Sequence, residues 1–109
     1  MPHAEEAFAG IAARLLHDPE IDEGTGFGTN PGVRVGGKIF AMLVRGELVV
    51  KLPADRCGAL VEEGSGSVFQ VGKRPMREWV SIAPDGAEDW DALADEALSF
   101  VRAAGARRR

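Results

Sequence analysis

The sequence predicts an α+β fold: an antiparallel β-sheet (a meander) flanked by N- and C-terminal helices, with a short helix inserted before the last strand. Three observations predict it. Apolar residues recur at helical spacing at both ends of the chain. Between those ends, short apolar runs are separated by glycine-rich hairpin signals. Ahead of the final apolar run, "PADRCGALVEEG" starts on a proline and closes on a glycine, as a short helix does. With 109 residues, the chain has room for one hydrophobic core and forms a single domain, 1–109.

The N-terminal helix occupies residues 1–18, "MPHAEEAFAGIAARLLHD". Phe8, Ile11, Ala12, Leu15 and Leu16 make one apolar stripe, with Glu5, Glu6 and Arg14 outside it. Pro2 suits its start and Asp18-Pro19 its end. A glycine-rich stretch follows. Asn30-Pro31-Gly32 reads as a turn with glycine at the position of positive φ. Gly36-Gly37 and Arg45-Gly46 then separate three strands at roughly 33–35, 38–45 and 47–52, with another expected near 22–27. In the short helix, Cys57, Leu60 and Val61 form the inner face, and Gly64 is the expected cap. "VFQV" is a short extended segment, and "MREWVSIA" is the last strand. The closing helix carries Trp90, Leu93, Ala94, Ala97, Leu98 and Val101 on one face. Asp89, Asp91 and Asp95 lie toward its start and Arg102 toward its end, as the helix dipole favours. Gly105 is the expected stop, leaving 105–109 as a basic tail.

Strict alternation divides the third strand into Ile39, Ala41 and Leu43 on one face and Phe40, Met42 and Val44 on the other. Both sets are apolar, so both faces need cover. A surplus apolar patch on Phe40 and Met42 would suit a homodimer interface or a ligand pocket; the alternative is that the terminal helices split between the faces. The same alternation puts Met76, Val80 and Ile82 opposite Arg77, Trp79 and Ser81.

Charge and composition narrow the function classes. The net charge of −4 is uneven: residues 1–33 carry −5, residues 34–77 carry +4 and residues 78–109 carry −3. An acidic whole disfavours non-specific binding to nucleic acid, whose affinity comes from neutralising phosphates. The basic middle still allows a local patch, in which Lys73, Arg74, Arg77 and Trp79 of "GKRPMREWV" interleave cations with an aromatic. No apolar run is long enough to cross a membrane. The N-terminus lacks the pattern of a signal peptide, and a lone cysteine fits a reducing compartment, so the expected location is cytoplasmic.

Cys57, His3 and His17 cannot furnish a closed zinc site of about four N/S ligands, and no metal or cofactor is expected. "GTGFG" (24–28) lacks the strand-to-helix context of a dinucleotide fingerprint and the Gly-Lys-Ser/Thr ending of a phosphate loop. Flexible turn chemistry is the better reading. Phe27, between its glycines, could plug a core edge or line a pocket. Ser65, Ser67, Ser81 and Ser99 have no histidine at a triad-like spacing, and Cys57 sits on an apolar helix face. The chain is therefore not expected to be an enzyme.

Taken together, "GFG", "GVRVGGKIFAMLVRGELVVKLP", "GKRPMREWV" and "WDALADEALSFVRAA" resemble the TfoX N-terminal domain family, which is related to the MmcQ/YjbR-like proteins. The resemblance covers roughly residues 22–104. The family's glycine loop reads more like Met-Phe-Gly-Gly, where this chain has Gly26-Phe27-Gly28-Thr29. The resemblance implies a compact α+β domain, often dimeric. Some members are linked to regulation of DNA-uptake competence, and MmcQ/YjbR relatives have been likened to DNA-binding folds. It supplies no catalytic residues. The expected function is a small cytoplasmic regulatory or interaction domain acting as a homodimer through protein contacts. The alternative is a nucleic-acid-binding module using the local basic patch; a small-ligand-binding domain or enzyme ranks behind both.

Overall fold

The computed structural model describes residues 3–25, 30–84 and 89–107. In chain order the elements are α1 (His3–Leu15), β1 (Ile21–Thr25), β2 (Pro31–Val35), β3 (Lys38–Val44), β4 (Glu47–Lys51), α2 (Ala54–Glu62), β5 (Ser67–Val71), β6 (Arg74–Ile82) and α3 (Trp90–Arg107). The strands form one six-stranded sheet in the order β1-β2-β3-β4-β6-β5. Every pairing is antiparallel. The predicted α+β architecture is therefore the observed one, with α2 lying between the meander and the final β5–β6 hairpin.

Turn chemistry sets the meander. Gly36 and Gly37 take φ of 57° and 80°, and Arg45 and Gly46 take 50° and 78°. Two consecutive positive-φ residues match the right-handed twist of the flanking strands, which is why such hairpins favour glycine. Arg45 is the only non-glycine residue in that region among those described. The Asn30-Pro31-Gly32 turn is not formed as expected. Pro31 and Gly32 belong to β2, and Gly32 has no positive φ. Its small size is needed for another reason. A Cβ there would lie 2.4 Å from Ile39 Cδ1 and 2.9 Å from the Ala41 carbonyl oxygen.

All three helices bury their apolar faces in a single cluster. Phe8, Ile11, Ala12 and Leu15 of α1, Cys57 and Leu60 of α2, and Trp90, Leu93, Ala94, Ala97 and Val101 of α3 meet Val33, Leu43, Leu48, Val50, Val80 and Ile82 of the sheet. The helices do not split between the faces. Ion pairs tie this layer together: Arg14 of α1 reaches Asp91 and Asp95 of α3, each at 3.0 Å. Arg102 reaches Asp18 at 2.8 Å, and Arg56 of α2 reaches Glu96 of α3 at 2.8 Å. Gly105 does not end α3, which runs on to Arg107 because Gly105 keeps a negative φ rather than the left-handed cap conformation.

The other face of the sheet holds a second buried cluster of Met42, Val44, Val49, Phe69 and Trp79, with Ile39 and Met76 packed against it. Every one of these side chains comes from a strand. Polar groups rim it: Ser81 donates a hydrogen bond to Glu47, Lys51 Nζ lies 5.9 Å from the centre of the Trp79 ring, and Arg34 pairs with Asp22 at 2.6 Å. Long polar side chains laid over apolar neighbours exclude water much as a covering element would.

Strict alternation fails in β3. The β2–β3 register shifts between Val33 and Arg34, where Val33 pairs with Ala41 but Arg34 pairs with Ile39. Phe40 is the extra residue of a β-bulge, and the bulge changes the phase of the strand. As a result Phe40 joins Ala41 and Leu43 in the helix-covered core, while Ile39 joins Met42 on the opposite face.

Candidate interaction surface

The β5–β6 hairpin closes through Gly72 and Lys73, with Gly72 at φ of 62° and Val71 paired to Arg74. A glycine in the first central position is what a two-residue turn of this hand requires. β4 ends at Lys51, opposite Trp79, and its continuation is held once more by the Leu52 N–H donating to the Glu78 carbonyl at 3.0 Å. Arg74 and Pro75 of β6 thus pair only with β5, and Met76 and Arg77 have no partner in either register. The hairpin tip extends past the rest of the sheet as an arm.

Within the arm the pairing shifts sharply. Val68 opposes Val80 and Gln70 opposes Pro75, so Phe69 alone spans the gap on β5 while residues 76–79 span it on β6. That long bulge overturns the expected alternation of β6. Met76 packs with Trp79 and Phe69 in the strand-only cluster, not with Val80 and Ile82.

The predicted site residues separate accordingly. Lys73, Arg74 and Arg77 are all exposed on the arm, and none of them forms an ion pair among the described residues. Trp79 is largely buried in the second cluster with Lys51 over its ring, and together with Arg77 it lines the groove between the arm and α2. Phe40 and Met42 have no exposed surface: one fills the main core and the other the second cluster. Phe27 lies outside the described residues.

The strand that sequence reasoning undervalued is β5. It forms one edge of the sheet, and it carries the exposed large hydrophobic residues among those described, Val68 at 54% and Val71 at 41% exposure. No charged residue and no proline occurs between Gly64 and Gly72. The absence of charge was visible in "GSGSVFQVG". That this segment would become an edge was not, because strand order is a long-range property. Beside β5, a groove of about 420 Å³ lies between the arm and α2, lined by Ala54, Gly58, Val61, Val68, Pro75 and Met76. Cys57 at its inner wall is buried, and burial pushes its thiol pKa up. Its Sγ donates to the Leu52 carbonyl at 3.6 Å. That environment suits a packing thiol, since nucleophilic cysteines sit where the thiolate is favoured.

Among the described residues, no three His, Cys, Asp or Glu side chains come together so as to hold a metal ion. No helix among them is long and apolar enough to cross a membrane. No curated protein and no solved structure matches the chain. The pattern of the YjbR family matches residues 16–97, which takes in all six strands and α2 and reaches into α3. That is 82 of 109 residues, and the chain therefore belongs to the YjbR family.

Proposed function

We propose that this YjbR-family chain is a small cytoplasmic regulatory or interaction domain, not an enzyme, that works as a homodimer through protein contacts. One observation carries the reading: β5 is an uncharged, proline-free edge strand that exposes Val68 and Val71. Monomeric proteins blunt such edges with charges, prolines or covering elements, because unpaired backbone groups template the addition of another strand. The opposite edge, β1, is blunted in this way by Asp22 and Glu23. The resemblance to the TfoX N-terminal domain supports a regulatory setting for the contact. Size-exclusion chromatography with light scattering tests the reading. A species twice the 11.6 kDa chain mass is expected at high concentration. A mass of one chain at every concentration would overturn it.

A second reading has its own support in the three cations of the arm, which form no ion pair among the described residues. Lys73, Arg74 and Arg77 could contact the phosphates of a nucleic acid, against the net charge of −4. Such binding would fall steeply as salt rises. Absence of binding to duplex and single-stranded DNA at low salt removes this reading.

A further inference from the structure

We propose that two copies of the chain join by antiparallel pairing of their β5 strands about a two-fold axis. In this arrangement Lys73 and Arg74 of each copy close against Glu62 and Glu63 of the other. The inference rests on the homodimer reading and supplies its geometry.

The edge itself is the first argument. β5 is the outermost of the described strands, so it has one described strand, β6, beside it. A second β5 on its other side pairs at the spacing of an ordinary sheet. Self-pairing about a two-fold axis sets each strand against its own sequence, and so it tolerates only an edge that does not repel itself. β5 meets that condition, having no charge in Ser67–Val71. β1 does not. Its Asp22 and Glu23 would lie close to their own copies, and like charges facing each other across a ladder are destabilising.

The flanks of β5 choose the direction. Antiparallel pairing about Phe69 puts Val68 opposite Gln70 and Ser67 opposite Val71. Continued outward, Lys73 and Arg74 of one copy run beside the segment just after the end of α2 in the other. That segment follows Glu62 and Glu63, which are exposed, as are Lys73 and Arg74. Among the described residues none of the four forms an ion pair, although Glu63 accepts a hydrogen bond from Ser65 at 2.9 Å and its charge acts on Arg56. A parallel pairing would bring the basic ends together instead. Charge complementarity therefore selects the antiparallel form and provides two equivalent clamps, one at each end of the joined strands. The product is a continuous sheet made of two six-stranded halves. Two five-residue strands bury little surface compared with the roughly 1,600 Å² of a standard interface, so the clamps matter and added salt should weaken the dimer.

Charge reversal tests the geometry on the full chain. K73E/R74E makes both clamps repulsive in its own homodimer, and E62K/E63K does the same with the signs exchanged. Each variant alone should raise the dimer dissociation constant by about tenfold or more and run at the mass of one chain. An equimolar mixture should return to the mass of two chains, because both clamps of the mixed dimer join opposite charges. V68K, which puts a charge on the edge itself, should also give the single-chain mass, with a thermal unfolding midpoint near that of the parent. A parent dimer left unchanged by all three variants overturns this geometry but leaves the homodimer reading standing. Failure of the mixture to re-form a dimer, or loss of the dimer in V68K alone, overturns the clamps. A parent chain that is monomeric at every concentration overturns both inferences.

Discussion

The two faces of the sheet are buried by different means. One is sealed by three helices, whose apolar stripes are visible in the linear sequence. On the other, the described side chains that pack together all come from strands, with Lys51, Arg34 and the Ser81–Glu47 pair at the margin. Met42 and Val49 on the second face are as completely buried as Phe40 and Leu48 on the first. Burying a side chain of this size is worth about 1.5–3 kcal/mol wherever the water goes. A face without helices is therefore not automatically a vacant binding surface. The exposed large hydrophobic residues among those described, Val68 and Val71, lie instead at the edge strand β5.

Truncations on either side of the bulge report the burial of each face separately. Phe40→Ala should cost about 3–5 kcal/mol and Met42→Ala about 2–5 kcal/mol in urea unfolding. A cost below about 1 kcal/mol for Met42→Ala would show that the second face is loose surface rather than core. Gly32→Ala probes the close approach of β2 and β3. Its Cβ would press on the Ala41 carbonyl oxygen, which cannot swing aside as the Ile39 tip can. The expected loss is about 1–3 kcal/mol, read as a lower unfolding midpoint at unchanged slope. Lys51→Ala removes the cation over Trp79, and at this half-exposed site it should cost only about 0.5–1 kcal/mol.

The smallest expected effect lies on the helix side. The Asp18 carboxylate accepts from the Glu20 N–H and then from Arg102, and these contacts hold its pKa below the usual aspartate value. A depressed folded pKa gives stability that is complete above the unfolded value and is lost as pH falls through the folded one. Asp18→Asn should therefore be slightly less stable than the parent at neutral pH, and the gap should close in acid. Thermal unfolding midpoints taken from neutral pH into the acid range would show it. A gap that widens in acid would contradict the assignment.

Much of the scaffold is legible in local patterns. The helical stripe from Phe8 to Leu15 and the stripe from Trp90 to Val101 follow from spacing alone. The Gly36-Gly37 and Arg45-Gly46 turns follow from backbone sterics. Inference failed where a single inserted residue changed the phase. Phe40 and Ile39 exchange faces at one bulge, and Met76 changes company at another. Alternation counts residues, whereas a bulge is fixed by what the neighbouring strand needs, and that neighbour is distant in sequence. Likewise Gly32 reads locally as turn chemistry, but its smallness serves the approach of β3.

For the candidate site, the cations Lys73, Arg74 and Arg77 were legible from the sequence because exposed charge is a property of the residue type. Trp79 was legible as lying opposite Val80 and Ile82, but its role stayed open, since an aromatic beside arginines looks the same in a sequence whether it stacks on a ligand or fills a core. Local patterns are enough to mark the helices and strands, the apolar character of both sheet faces and the lack of charge in Gly64–Gly72. Tertiary contacts put all three helices on one face and gather the strand side chains Met42, Val44, Val49, Phe69 and Trp79 on the other. They also decided that β5, not β1, is the unguarded edge. Those outcomes depend on strand order and register, which are set by contacts between residues far apart in the chain.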